Sequence, residues 1–384
     1  MTHAETGPIA PVAVPEALLR APEAFGGRSE MGCRIGLLSC VDGRPAGLAA
    51  TEAAPRYVLL PPLTEPHVHL DKCHTVARCD SVGGDLAAAV AAQMRDKARW
   101  TREDLQHRMT QGLSELIRAG CGTIRTHIDW ARKGAPVAWD VALALRAEAQ
   151  SQGVTLQMAA LTGIDEMADM AVAEDIAQRM AREDGVLGAF VLDHAGKEQG
   201  IRNLFQLADR YGLALDFHVD EGLAPGLNGL DLIVKVAREM RHEGPVLCGH
   251  ACHLATRSAD DVARIAHGLA EAGIAVATLP TTNLYLQGRT AGTPKTRGLT
   301  MVHELQARGV DLVVGTDNVR DAFCPIGVHD PLYTLGVAVL AGHLDPPLGR
   351  HLPMITTSAR HALGLAPQWI DETDTEDLML FEVP

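Results

Sequence analysis

Aromatic residues are scarce in this chain. Phe, Trp and Tyr make up 4% of 384 residues, so a core of any size must be built from Ala, Leu, Val and Ile. No apolar run approaches the ~20 residues a membrane-spanning helix needs, so no membrane partner is expected. The opening MTHAETGPIAPVAVPEALL lacks a basic start followed by an apolar stretch, which argues against a signal peptide. The eight cysteines include no C-x-x-C pair, and a chain this long has no need of disulfide staples. They are expected to be reduced, small core residues of a cytoplasmic protein. No G-x-G-x-x-G follows a candidate strand, which removes the main signal for a dinucleotide-binding open sheet. No internal repeat is visible. A net charge of −14 argues against broad binding of nucleic acid or anionic membranes. The partners left are a small molecule and, as an expectation, further copies of the chain in a homo-oligomer.

What is present is an alternation. Residues 1–61 are rich in Ala, Pro and Gly, and RIGLLSCVDGRPAGLAA within them reads as two strands around an Asp-Gly turn. From residue 62 short apolar runs alternate with Ala-rich helical stretches. Candidate strands fall at 63–70, 122–130, 155–161, 186–193, 214–221, 245–251, 274–281 and 311–317. Helical patterns fall between them, at 103–119, 166–182, 199–211, 230–242, 259–272 and 299–308 among others. Eight strands, most separated by a helix, predict an α/β fold with the parallel sheet closed into a (β/α)8 TIM barrel. The closing segment TEDLMLFEVP reads as a last strand that returns to the N-terminal part. The expected organisation is a small β domain from 1–61 and 352–384 and a barrel from 62–351.

The His, Asp and Glu residues sit at the C-terminal ends of the apolar runs, the edge where such barrels build active sites. His67 and His69 end the first run two residues apart, so on a strand both imidazoles face one space. His218 ends the fifth run, with Glu221 three residues later, and Asp317 ends the eighth. Any one of them alone also fits a satisfied core residue or a helix cap. Together, neutral imidazoles and a carboxylate are a suitable ligand set for one divalent cation, zinc or iron(II). Glu221 has the chemistry of a proton shuttle beside activated water. His250, in CGHACH, could orient that water, polarise a substrate or add a ligand. His253 is expected at a helix start or on the surface, and Cys252 close to the site.

Five segments, EPHVHLDK at 65–72, RTHID at 125–129, DFHVDE at 216–221, GHAC at 249–252 and GTDNVRDAFCPIG at 315–327, resemble the amidohydrolase superfamily. The nearest likeness is to its cytosine-deaminase-like branch, which also holds hydrolases of amino- and alkylamino-triazines. The resemblance implies a mononuclear site with His67, His69, His218 and Asp317 as ligands, Asp317 also handling protons in catalysis, Glu221 as general acid/base, and His250 near the attacking water. Binuclear members place a carboxylated Lys or a Glu at the end of strand four. Here that strand ends VLDHAG, with Lys197 too far along, which implies one metal. Cytosine deaminases read the pyrimidine edge with a Gln at the end of strand three, where this chain has Leu161 or Thr162. Phe323 stands where they have Trp, and Asn318 where they have a second Asp. These departures imply that cytosine is not the preferred substrate. Asn318 with Arg320 is closer to the alkylaminotriazine hydrolases. The last strand looks short for the family.

The function expected is hydrolysis of a C–N bond in an amino-substituted pyrimidine, purine or triazine, with release of ammonia or an amine. Lys72, His127 and Trp130 are placed near the rim, with Leu161, Asn318 and Phe323 as further substrate contacts; Lys72 also fits an ion-pair partner and His127 a supporting residue. Two alternatives stay open: a cyclic amidase that opens a ring amide, and a metal-stabilised binding protein without catalysis.

Overall fold

The computed structural model describes residues 10–79, 82–130 and 134–383. Residues 1–9 and 384 of the expected small domain lie outside the described residues. The N-terminal strands are β1 (Val12–Pro15), β2 (Arg28–Glu30), β3 (Cys33–Val41), β4 (Arg44–Ala49) and β5 (Tyr57–Leu60). The β3–β4 hairpin turns at Asp42 and Gly43, which both take positive φ, 51° and 78°. That is the turn an Asp-Gly pair between strands favours. The next eight strands are β6 (Leu63–Val68), β7 (Cys121–Asp129), β8 (Thr155–Gly163), β9 (Val186–Val191), β10 (Leu215–Val219), β11 (Val246–His250), β12 (Ile274–Thr278) and β13 (Leu312–Val314). They pair in chain order, all parallel, in one eight-stranded sheet. The last strand, β14 (Met379–Glu382), pairs antiparallel with β5, which itself lies parallel to β1. Both chain ends therefore build one mixed sheet beside a (β/α)8 barrel, as the alternation predicts.

The strands of the small sheet all fall within 1–61 and 352–384, and on this basis we propose the division at those points. Helix Thr357–Ala362, however, packs on the barrel: Ala359 and Ala362 share a buried cluster with Leu247, Ala275 and Val313.

The helices form where amphipathic periodicity meets a cap. Arg102–Arg118 starts at Thr101, whose hydroxyl accepts from the Asp104 N–H, and buries Leu105, Met109, Leu113 and Leu116 along one stripe. With few aromatics to fill the barrel, charge does part of that work. Arg125, on β7, is fully buried and is the second largest buried side chain after Trp139. Its guanidinium donates to Asp216 Oδ2 at 2.9 Å, to Gln157 Oε1 and to the Leu363 carbonyl. Among the described residues no helix is long and apolar enough to cross a membrane, and all eight cysteines are free thiols.

The barrel closes at a narrow seam. β13 meets β6 through a single parallel bridge between Val68 and Asp317. The Asp317 N–H donates to the His67 carbonyl at 2.8 Å, and the His69 N–H to the Asp317 carbonyl at 3.3 Å. Gly315 makes this approach possible, since a Cβ there would stand 2.8 Å from that of His67.

Replacing Arg125 with Met would leave the buried Asp216 carboxylate without its cation. The expected loss of unfolding free energy is about 3–5 kcal/mol, the usual result of breaking a buried pair. Urea unfolding measures it, and a midpoint close to wild type would show that the pair is dispensable.

Candidate metal centre and cavity

The seam carries the polar cluster. His67 is the penultimate residue of β6 and His69 follows the strand; His218 lies on β10, His250 ends β11 and Asp317 follows β13. All five side chains are buried. His69 Nε2 is 3.0 Å from His218 Nε2 and 3.3 Å from Asp317 Oδ1, and His67 Nε2 is 3.5 Å from the same oxygen. Ligand atoms of His67, His218, His250 and Asp317 lie within 4.8 Å of one another, as do those of His67, His69, His127 and His218. Asp317 and His250 take left-handed backbone, with φ of 59° and 70°. For residues other than glycine that conformation is uncommon and clusters at functional sites.

Electrostatics make this a set of donors short of a cation. Burial pushes His67 down to about 4, and pushes His69 and His218 well below the ordinary imidazole value, so all three rings are neutral. Burial would raise Asp317, but the His67 and His69 imidazoles beside it, 3.5 and 3.3 Å from Oδ1, hold it well below the usual carboxylate range. Both nitrogens of His67, both oxygens of Asp317 and Nε2 of His250 have no hydrogen-bond partner among the described residues. Each such atom costs about 1–3 kcal/mol when left unpaired. Two ring nitrogens facing each other at 3.0 Å need a proton or a cation between them. Three neutral nitrogens and one anionic oxygen are the protonation states a divalent metal requires, so the residues fit one. His69 Nδ1 lies 3.3 Å from Lys72 Nζ, a contact that is a hydrogen bond only in the tautomer lacking a proton at Nδ1.

Supporting residues fix the donors. Glu65, pushed up to about 8 by burial, accepts the His67 N–H at 2.9 Å and the Thr316 N–H at 3.1 Å, tying the two ends of the seam together. His127 is fully buried and does not line the cavity, the placement of a supporting residue and not of a rim residue. Its ring centroid lies 4.1 Å from that of His67, with the planes tilted by 39°, and its Nε2 is 3.0 Å from Asp216 Oδ1. Asp216 is held down at about 2: burial opposes ionisation, but His127 and Arg125 outweigh it. His250 Nδ1 is 3.0 Å from Asn283 Oδ1, a contact that is a hydrogen bond in the tautomer protonated at Nδ1. The Nε2 of the same ring is 3.6 Å from Glu221 Oε2, and burial pushes the Glu221 carboxyl up to about 7.

Above the cluster opens a cavity of about 440 Å³. Lys72, Trp130, Leu161, Asn318 and Phe323 line it, as do Glu221 and His250. Leu161 and not Thr162 faces the space, since the Thr162 hydroxyl turns away to the Gly188 carbonyl at 2.7 Å. Lys72 is also an ion-pair partner: Asp129 bridges it, at 2.8 Å, to Lys97 at 3.2 Å. Lys197 pairs with Asp193 at 2.9 Å, outside the cavity. His253 sits in the first turn of a short helix, Cys252–Thr256, but is 7% exposed and not on the surface. Burial raises the Cys252 thiol well above its ordinary value, so it stays protonated.

Several residues escaped the sequence reading. Asp216 had a signal, because it precedes His218 by two and so shares its face of the strand. Arg125 and Asp129 alternate with His127 in the same way. Asn283 had none. Gln93 had none either; it lines the cavity with both amide atoms buried and unpartnered among the described residues. Gly249 matters because a Cβ there would meet His67 Cε1 at 2.8 Å.

Compared with known proteins, the amidohydrolase family model matches residues 84–370. A pterin deaminase from Rhizobium rhizogenes is 33% identical over 326 residues, covering 83% of this chain and 74% of that protein. A 5-methylcytosine deaminase from Klebsiella pneumoniae, solved with 5-fluorocytosine, superposes with a TM-score of 0.75 at 25% identity, over 92% of this chain and 86% of the other. An N-isopropylammelide isopropylaminohydrolase from Burkholderia multivorans shares the fold, with a TM-score of 0.71 at 22% identity, over 98% and 92%.

Substituting Gly249 with Ala is expected to displace the His67 ring and weaken metal binding by about 10–100-fold, the range for disturbing groups that orient a ligand. Competition with a chelator measures the affinity, with circular dichroism as a check on folding. Wild-type affinity in a folded variant would contradict the close packing of that ring.

Proposed function

The chain belongs to the amidohydrolase family, and we propose that it hydrolyses a C–N bond of an amino-substituted nitrogen heterocycle, releasing ammonia or an amine, with one divalent cation held by His67, His69, His218 and Asp317. It is a hydrolase of carbon–nitrogen bonds other than peptide bonds. The observation that carries the ligand assignment is the gathering of three neutral imidazoles around one carboxylate beneath the cavity. His127 and His250, the other members of that cluster, each face a partner of their own, Asp216 and Asn283. Zinc and iron(II) both suit this donor set. The absence of a bridging Lys or Glu at the end of β9 supports one ion.

A cation held there supplies Lewis-acid activation of water, whose pKa falls toward ~7. The chain's own residues handle the protons. Glu221, pushed up to about 7, takes and returns a proton near neutrality, the condition for an efficient acid/base group. Its position beside His250 lets it take a proton from water and give it to a ring nitrogen or to the departing amine. In the tautomer protonated at Nδ1, His250 meets water or substrate through Nε2, as an acceptor when neutral and as a donor to an oxyanion once protonated. Asp317 remains anionic and holds the seam. His127 acts through His67, as a positioning residue. Lys72, Leu161, Asn318 and Phe323 face the heterocycle. Leu161 offers no amide to a pyrimidine edge, which disfavours cytosine. The likeness to a pterin deaminase supports a fused pteridine. Free cysteines suit a cytoplasmic setting, and the exposed Tyr333 and Leu340 on helix Pro331–Gly342 suit a homo-oligomer.

Ammonia release from pterin, aminopurines, aminopyrimidines and aminotriazines tests the reaction; a ring-opened product without ammonia would move the reading to a cyclic amidase. His67→Ala, His218→Ala and Asp317→Ala are each expected to lose most bound metal in elemental analysis. Full occupancy in two of the three would refute the ligand set. Glu221→Gln is expected to keep its metal and lose turnover by ~10²–10⁴-fold. A rate near wild type would remove Glu221 from the chemistry.

A further inference from the structure

Resting on this reading, we propose that the mouth of the cavity is a subsite for an apolar substituent, carried by the heterocycle on the edge opposite its reacting carbon. The cavity has two chemistries. Its floor is polar, with His69, His218, Glu221 and His250. Its mouth carries an apolar stripe: Leu86, Val90 and Met94 line the cavity from helix Leu86–Lys97 and Phe190 lines it from β9, with Gln93, Lys97 and Glu166 as the polar residues among them.

That helix is oriented against ordinary burial. A surface helix turns its large apolar side chains inward and its polar ones outward. Here the small residues Ala89 and Ala92 are buried, in a cluster with Leu286, Ala322 and Phe323. The larger Val90 and Met94 are left 45% and 60% exposed. Leu86, Val90 and Met94 recur every fourth residue, so they form one stripe on the cavity side. Phe190, 39% exposed, adds an aromatic face to the same opening. A ligand reaching the mouth would remove this surface from water.

Size and charge point the same way. A volume of about 440 Å³ falls within the ~300–1,000 Å³ of sites for drug-sized ligands, beyond the need of one bare ring system. Lys97, on the same helix, is already paired with Asp129 at 3.2 Å. An anionic substituent would have to compete with that carboxylate. In a pterin the amine-bearing carbon would sit at the floor, and the far edge of the second ring, with its C6 position, would face the stripe.

The experiment uses metal-loaded enzyme and pterins bearing hydrogen, methyl, propyl or carboxylate at C6. Ammonia release gives kcat/KM, and calorimetry gives Kd for the matching 2,4-dioxopteridines. Both measures are expected to improve by about fourfold per added methylene from methyl to propyl. In a Val90→Ser/Met94→Ser variant the propyl-to-hydrogen ratio is expected to fall by about tenfold. A ratio near one in wild type, a ratio unmoved by the double substitution, or a carboxylate that outperforms propyl would overturn the subsite. Propyl-dependent binding that collapses in the variant, without ammonia from any member of the series, would uphold the subsite and overturn the deaminase reading.

Discussion

The barrel closes on its own reactive residues. Where β13 meets β6, the backbone bonds that complete the cylinder belong to His67, His69 and Asp317, whose side chains also form the polar cluster. Closure and ligand convergence are thus a single geometric event. A shift of one residue at that seam would turn His67 and His69 to the other face of the strand and dissolve the site. Gly315 and Gly249 keep the space around His67 open, and Glu65 grips both sides of the joint.

The same constraint explains the electrostatics. Burial strips the imidazoles of their protons and leaves the Asp317 carboxylate without a neutral donor. Such an arrangement is unfavourable for the chain alone and favourable around a cation, so fold stability and metal binding are coupled. Behind the donors, charge is arranged in depth, from Arg125 through Asp216 and His127 to His67. In front, Glu221 sits in a drier setting that raises its proton affinity, next to a histidine whose Nδ1 faces Asn283.

Much of this was legible in the chain. All eight barrel strands, the Asp42-Gly43 hairpin and the returning last strand follow from apolar periodicity and turn chemistry. The positions of His67, His69, His218 and Asp317 follow from the rule that polar residues at strand ends face the barrel mouth. Strand ends were overestimated because apolar residues continue beyond the ladder. The run 274–281 passes Thr278 into a helix that begins at Pro280 and carries Asn283. His127 was harder, since alternation gives its face but not its depth below His67. The position of Gln93 and of the stripe on Leu86–Lys97 was hidden, because the turn through Gly83 and Gly84 sets a direction that local sequence does not encode. Of the two places expected for His253, the structure shows the helix start, which is visible in sequence, whereas what packs over it is not.

X-ray absorption spectroscopy at the metal edge of the loaded protein tests the central claim most directly. The expected spectrum is one metal per chain, ligated only by nitrogen and oxygen, with histidine scattering and, for zinc, metal–nitrogen distances of about 2.0–2.1 Å. A second metal scatterer nearby, or sulfur in the coordination shell, would contradict a single cation held at the seam by three imidazoles and the Asp317 carboxylate.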